Sequence, residues 1–206
     1  MADDQGDRIS TFIARLTDAL GPKGVSTDAH EIEPHLQDWR GRWQGSTPVL
    51  VKPASTEEVS AAVTLCAEYG LAVNPQGGNS GMVNGSVPQG EVLISLKRMN
   101  KVREVDVLND AMTLEAGIVL TRAQDIAAEH DRLFPLSLGA QGVAMIGGLI
   151  STNAGGVQVL RYGMMRDLVL GIEAVLPDGR VWNGLRGLRK DNTGYDLKHL
   201  FIGAEG

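Results

Sequence analysis

A single cysteine in 206 residues excludes an intramolecular disulfide and any zinc or iron–sulfur site built on cysteine. Aromatic residues make up only 4%, and 25 acidic residues outnumber 19 basic ones for a net charge of −6. A chain with neither a basic footprint nor a supply of stacking rings is not a general nucleic-acid binder. No apolar run approaches the roughly 20 residues that span a bilayer. The first residues, Met1-Ala2-Asp3-Asp4-Gln5-Gly6-Asp7, lack the basic start and apolar stretch of a secretory signal. They also lack the Arg-rich, acid-poor character of an organelle transit peptide, so the expectation is a soluble cytoplasmic protein with no membrane span. Hydrophobic residues at 43% and charged residues at 21% belong to a globular chain.

What the sequence has in excess is glycine, 26 residues of 206, near twice the usual share of about 7%. The glycines are clustered without a three-residue period, which excludes collagen and points to crowded backbone in loops. Around them the periodicity is regular. Ile9, Phe12, Ile13, Leu16 and Leu20 fall on one helical face that Gly21-Pro22 stops. Residues 22–47 carry little period. Val49–Lys52 reads as a strand, Ser55 and Glu58 as a capping box opening a helix with Val59, Ala62, Val63 and Cys66 on one face, and Leu71–Asn74 as a second, parallel strand. Val92–Leu96 is a further buried strand, and Val105, Val107, Met112, Leu114 and Ala116 alternate around Asn109-Asp110 as a hairpin. A helix over 121–130 follows, and then a long strand over Leu168–Leu176, a turn at Pro177-Asp178-Gly179 and a return strand over Arg180–Asn183. The fold class is α+β, with one small parallel βαβ unit and one mainly antiparallel sheet.

The first glycine cluster, Pro75-Gln76-Gly77-Gly78-Asn79-Ser80-Gly81, follows the second strand of the βαβ unit, at the strand end where α/β sheets bind ligands. Without Cβ atoms, successive N–H groups can converge on a phosphate, and Asn79 and Ser80 add side-chain donors. Read alone, the loop is equally a tight turn. The dinucleotide Gly-x-Gly-x-x-Gly and the Gly-x-x-x-x-Gly-Lys-Ser/Thr patterns are both absent. The second cluster runs from Leu138 and Gly139 through Gly142, Ala144, Met145, Gly147 and Gly148 to Ser151, Thr152, Asn153, Ala154, Gly155 and Gly156. Glycines cost a buried helix up to about 1 kcal/mol each, so they need either a flat ligand or another backbone lying against them. One polar and one mostly apolar glycine loop suit a long ligand with a charged middle and a flat ring.

With those residues the chain resembles the FAD-binding, PCMH-type domain of the vanillyl-alcohol-oxidase-like flavoproteins, within it most the D-2-hydroxyglutarate dehydrogenase group. The matching stretches are Gln76–Met82, Ile146-Gly147-Gly148, Ser151–Gly156, Arg161-Tyr162-Gly163, Val169-Leu170-Gly171, Leu188–Leu197 and Phe201–Gly206. The resemblance implies a helical leader over 1–44 and an FAD-binding domain over 45–206 made of two α+β subdomains that hold FAD between them. It implies that Pro75, Gln76, Gly77, Gly78, Asn79, Ser80, Gly81 and Met82 cradle the pyrophosphate. Leu138, Gly139, Gly142, Ala144, Met145, Gly147, Gly148, Ser151, Asn153, Ala154, Gly155 and Gly156 would line the rest of the dinucleotide and its ring. Relatives with covalent flavin often hold a His where this chain has Asn79, so FAD is expected to be non-covalent. The group tends to have Asp where Ser137 stands and Asn where Leu149 stands, which bears on the choice of 2-hydroxy acid. Family members continue past the match to Glu205-Gly206 into a substrate domain with the metal ligands and the substrate-binding arginine; the chain reads as ending before it, and no catalytic or metal residue is assigned.

Other polar residues read as ordinary. His30 and His35 with Glu31 and Glu33 match no metal spacing and read as a solvated loop; Cys66 reads as a core thiol. Trp39 and Trp43 with Arg40 and Arg42 read as an anchor for the leader, with stacking on a ligand as the alternative. The implied function is the FAD-binding portion of a D-2-hydroxy-acid dehydrogenase that oxidises a small 2-hydroxy acid to a 2-oxo acid and hands electrons to an unidentified acceptor. A D-lactate dehydrogenase or glycolate oxidase subunit is the enzyme alternative. A non-catalytic FAD module or a gene fragment needing a second chain is the other, and a homodimer of the full-length protein is compatible with all of them.

Overall fold

The computed structural model describes residues 2–206, with side chains from residue 6 onward. The chain forms two compact units, one of residues up to 98 together with 175–182 and the other of 99–174 with 183–206.

The first unit contains α1 (Ala2–Leu20), β1 (Val25–Ser26), α2 (Ala29–Ile32), β2 (Leu50–Val51), α3 (Thr56–Glu68), β3 (Val73–Gln76) and β4 (Val92–Ser95). Phe12, Leu16 and Leu20 repeat every four residues, so they form one stripe on α1, and all three are buried. They pack with Val49, Val51, Ala62, Leu65, Cys66, Val92 and Ile94 into one cluster between α1, α3 and the sheet. The capping box is present with a shifted partner: Ser55 Oγ accepts the Glu58 N–H at 3.2 Å, while the Glu58 carboxylate accepts the N–H of Ala54 at 2.8 Å. Gly21 and Gly70, at φ +72° and +59°, end their helices in the left-handed region that glycine adopts without strain.

The strand order is β1-β2-β4-β3. β2 and β3 are parallel as expected, but through β4, which lies between them and is parallel to both. All four residues of β4 are buried, which is why it reads as an unbroken Val-Leu-Ile-Ser run. Alternation gives the sheet two faces. Val49, Val51, Val92 and Ile94 face the helices, whereas Leu50 and Leu93 meet Ile32 and Leu36 on the other side. Asn74 and Gln76 stand opposite Leu93 and Ser95 in the register and share that second face.

The second unit opens with the hairpin of β5 (Val102–Asp106) and β6 (Ala111–Leu114), where Asp110 at φ +49° makes the expected turn. Helices α4 (Leu120–Glu129), α5 (Ile146–Ser151), α6 (Val159–Tyr162) and α7 (Met165–Leu168) follow, and then the paired strands β7 (Ile172–Val175) and β8 (Val181–Gly184). The long strand expected over Leu168–Leu176 is shorter at its start. The Asp167 carboxylate accepts the Met164 N–H at 2.7 Å and closes the helical turn of α7, which takes Leu168, while the strand itself begins only at Ile172. The Pro177-Asp178-Gly179 turn forms as read, with Gly179 at φ +85°, and the Ser60 hydroxyl of α3 donates to the Gly179 carbonyl at 2.6 Å.

Two outcomes test this core. Phe12→Ala should cost about 3–5 kcal/mol in urea unfolding, because it empties a fully buried ring site. Burial pushes the Cys66 thiol up to about 11, so at neutral pH it should react with a thiol reagent only at the rate at which the protein unfolds.

Candidate cofactor site

The polar glycine loop leaves the sheet at the end of β3. Pro75 is exposed there, and the next side chain, Gln76, is 2% exposed on the face opposite the helices. Burial of an amide requires partners, and Gln76 has them. Its Nε2 donates to the carbonyls of His35 at 3.0 Å and Ser86 at 2.7 Å, and its Oε1 lies 2.5 Å from His35 Nδ1. The loop that follows is clamped from the same side. Asn79 takes φ +50°, its Nδ2 donates to the Gln37 carbonyl at 2.7 Å, and its Oδ1 accepts from Ser86 Oγ at 2.8 Å. The side chains of Gln76 and Asn79 are thus spent inside the unit, and what remains of the loop for a ligand is its backbone and the Ser80 hydroxyl. Among the described residues, the N–H groups of Gly77, Gly78, Asn79, Ser80 and Gly81 donate to no other group of the chain. A Cβ on Gly81 would meet nothing, and Met82 is exposed with its sulfur 3.1 Å from Arg40 Nη2.

Against this loop lies a cavity of about 480 Å³ whose walls include Pro34, Gln37, Trp39, Gly78, Asn79 and Lys97. Its second wall is the strap over 33–39, where Trp39 reads from the sequence as an anchor for the leader, with stacking on a ligand as the alternative. His35 is buried rather than solvated, held by Gln76, and Trp39 and Trp43 are 59% and 49% exposed, so they do not anchor the chain before residue 45. Asp38 fixes the strap. Burial works against its charge, but the N–H groups of Trp43 (2.9 Å), Arg42 (2.7 Å) and Arg40 (3.2 Å) outweigh this and hold its carboxyl below the usual range. Burial lowers the His35 pKa, and Lys97 and Lys52 lower it further against the opposing bond to Gln76 and the charge of Glu31.

The second cluster divides between packing and open backbone. Gly147 and Gly148 do lie in a helix, α5, despite their cost. The reason at Gly147 is another backbone: its N–H donates to the Ala116 carbonyl at 2.8 Å, and a Cβ would stand 2.8 Å from the Ala116 methyl. A Cβ on Gly156 would collide with the Ser137 backbone, and one on Gly155 would press on Met164. Ala144 and Met145 are buried, with Ala144 O accepting from Leu120 at 2.8 Å and Met145 bridged to Val119. Asn153, at φ +48°, accepts the Arg166 N–H at 2.9 Å, and the carbonyls of Ala154 and Ser151 accept from Met165 and Glu205 at 2.9 Å each. Leu138 is half-buried and accepts from Gln141 at 3.2 Å. At Gly139, Gly142 and Gly148 an added Cβ would meet nothing, so no neighbouring segment of the described chain requires glycine there.

Residues 47–184 match the family described as FAD binding domain. The chain belongs to that family. Over 198 residues it is 50% identical to a protein of Oryza sativa subsp. indica named probable D-2-hydroxyglutarate dehydrogenase, mitochondrial, covering 96% of this chain and 35% of that one. It is likewise 50% identical over 186 residues to the D-2-hydroxyglutarate dehydrogenase, mitochondrial, of Bos taurus, covering 90% and 34%. The chain thus spans about a third of the length of the curated relatives it matches. Among solved structures, an alkyldihydroxyacetonephosphate synthase superposes with a TM-score of 0.84 at 25% identity, covering 96% of this chain and 38% of that one. The α+β fold is that of PCMH-type FAD-binding domains. One expectation is overturned: the relatives are named as mitochondrial, against the cytoplasmic assignment drawn from the N-terminal residues. Within the described residues no helix is long and apolar enough to cross a membrane, and no cluster of His, Cys, Asp and Glu could hold a metal.

An FAD fits the chemistry of these segments. Five successive unpartnered N–H groups in the Gly77–Gly81 loop match an anionic pyrophosphate. The buried oxygens Asn74 Oδ1, Asn84 Oδ1 and Ser95 Oγ also lack partners among the described residues. Two of them can only accept, so they suit water or an N–H rather than phosphate.

His35 gives a pH test. Its folded pKa lies below the unfolded value of about 6.5, so the unfolded chain takes up a proton first as the pH falls. The stabilisation is complete above about pH 6.5 and is lost as the pH falls from there toward the folded pKa. The urea midpoint should drop between pH 7.5 and 5.5 in the wild type and drop less in His35→Asn; equal slopes would show that His35 titrates alike in both states.

Proposed function

We propose that this chain is the FAD-binding portion of a flavin-dependent D-2-hydroxy-acid dehydrogenase acting on D-2-hydroxyglutarate or a close analogue. The observation that carries the reading is the 50% identity, across nearly the whole chain, to proteins named for that activity. In this reading the backbone of Pro75–Met82 holds the FAD pyrophosphate, and the stretch from Leu138 to Gly156 lines the remainder of the cofactor. When bound, the flavin supplies the acceptor for the hydride that leaves the substrate α-carbon as its hydroxyl becomes a carbonyl. The chain's own part is to bind, orient and shield that cofactor. Its loop N–H groups neutralise the pyrophosphate without mobile side chains, because Gln76 and Asn79 hold the loop open in advance. No residue here is assigned to take the hydroxyl proton.

The cofactor is held non-covalently. Asn79 is no nucleophile, and the lone thiol, Cys66, is buried in the helix–sheet core. His35 lies under the loop with Nδ1 against Gln76.

The purified, desalted chain should therefore show a flavin absorption band, or acquire one on incubation with FAD, and denaturation should release it all into the protein-free filtrate. A folded chain that stays colourless with added FAD would overturn the cofactor assignment. Flavin retained on the denatured chain would overturn the non-covalent one. With D-2-hydroxyglutarate, bleaching of the band is expected once the rest of the enzyme is supplied, and bleaching by D-lactate alone would move the substrate to the alternative class.

A further inference from the structure

The cavity beside the glycine loop has an aromatic wall that neither the loop nor the second cluster accounts for. Trp39 lines it and is 59% exposed, a costly state for the largest apolar side chain in a protein with only three tryptophans. Nothing in the core needs it, since the cluster on that side of the sheet consists of Ile32, Leu50, Leu93 and Leu36. Yet its place is fixed. The buried Asp38 carboxylate accepts N–H groups from three of the next five residues, which sets the backbone of the strap at Trp39. The Asn79 amide ties the Gln37 carbonyl to the glycine loop, so strap and loop form one rigid mouth. The Arg40 guanidinium lies over the Trp39 ring, 5.0 Å from its centroid, and covers one face of the indole. An exposed ring, backed by a cation and held in one cavity with Gly78 and Asn79 of the loop of unpartnered N–H groups, is a stacking platform beside an anion cradle.

Resting on the FAD reading above, we infer that Trp39 is a cofactor-binding residue that stacks on a planar ring of the dinucleotide whose pyrophosphate occupies the Gly77–Gly81 loop. Lys97, also on the cavity wall, is the one cationic side chain among its lining groups, which include the acidic Glu33 and Asp38. Asp38 is already occupied by its three N–H partners but keeps its charge, as does Glu33, so attraction of a phosphate to the mouth rests on the loop N–H groups and Lys97.

The test is FAD affinity of the apo form of the chain, read by flavin fluorescence and ultrafiltration, in wild type, Trp39→Leu, Trp39→Phe and Trp43→Leu. Circular dichroism checks that each is folded. Trp39→Leu keeps an apolar side chain of moderate size but removes the ring, and it should weaken FAD about tenfold or more. Trp39→Phe should recover most of the loss, and Trp43→Leu, in the turn that follows the strap and outside the cavity wall, should change nothing. Riboflavin and ADP titrations then identify the stacked ring, since only the ligand that carries it should respond to Trp39→Leu. FAD bound equally well by the folded Trp39→Leu variant overturns this inference and leaves the FAD reading intact. A loss that Trp39→Phe does not recover also overturns it, because it marks a structural role. A folded wild-type chain that binds no FAD overturns both.

Discussion

The first unit depends on one buried amide. Gln76 ends a parallel strand with its side chain in the interior, and a primary amide there costs several kcal/mol unless its donors and acceptor are used. Its three bonds reach two other stretches of chain, the strap twice through His35 and the far side of the loop through Ser86. One side chain therefore fixes where the strand stops, where the glycine loop begins and where the 33–39 strap lies. Replacing it by an apolar residue would leave the carbonyls of His35 and Ser86 short of a donor and the His35 ring without its partner. Leaving a buried polar group unpaired costs more than the bond itself gains.

The same constraint explains why a loop this rich in glycine is not slack. Glycine loses the most conformational freedom on folding, and five residues with unpaired N–H groups contribute little enthalpy to offset that. Order comes from outside the loop, through the Asn79 amide and the Ser86 hydroxyl. The division of labour is chemical. Side chains face inward and hold, while the backbone faces outward and binds, and an anion meets N–H dipoles that need no reorganisation on its arrival.

How far this was legible in the sequence depends on the range of the interactions involved. Local periodicity located α1, α3, β4 and the β5–β6 hairpin, because four-residue and two-residue apolar repeats are properties of neighbours in sequence. Both glycine clusters were visible as composition, and the family likeness of the whole followed from them. Long-range contacts were not visible. His35 and Gln76 are 41 residues apart, so a histidine that reads as solvated is buried by a partner no local pattern announces. The order of the sheet is of the same kind, since nothing in β2, α3 and β3 says that β4 will enter between them. His199 likewise meets Arg166 at 2.8 Å across 33 residues.

Glycine itself is ambiguous in sequence for a physical reason. The absence of a Cβ serves equally to admit a ligand and to admit another segment of the same chain, and the two uses look identical until the neighbours are known. Gly147 and Gly156 serve the chain, whereas Gly81, Gly139, Gly142 and Gly148 face open space. Trp39 presents the converse case. A large ring in an irregular segment most often buries itself, and here it stays exposed because a carboxylate two atoms of backbone away has fixed the turn that displays it. Exposure that the surrounding structure actively maintains, rather than merely tolerates, is what separates a binding surface from incomplete packing.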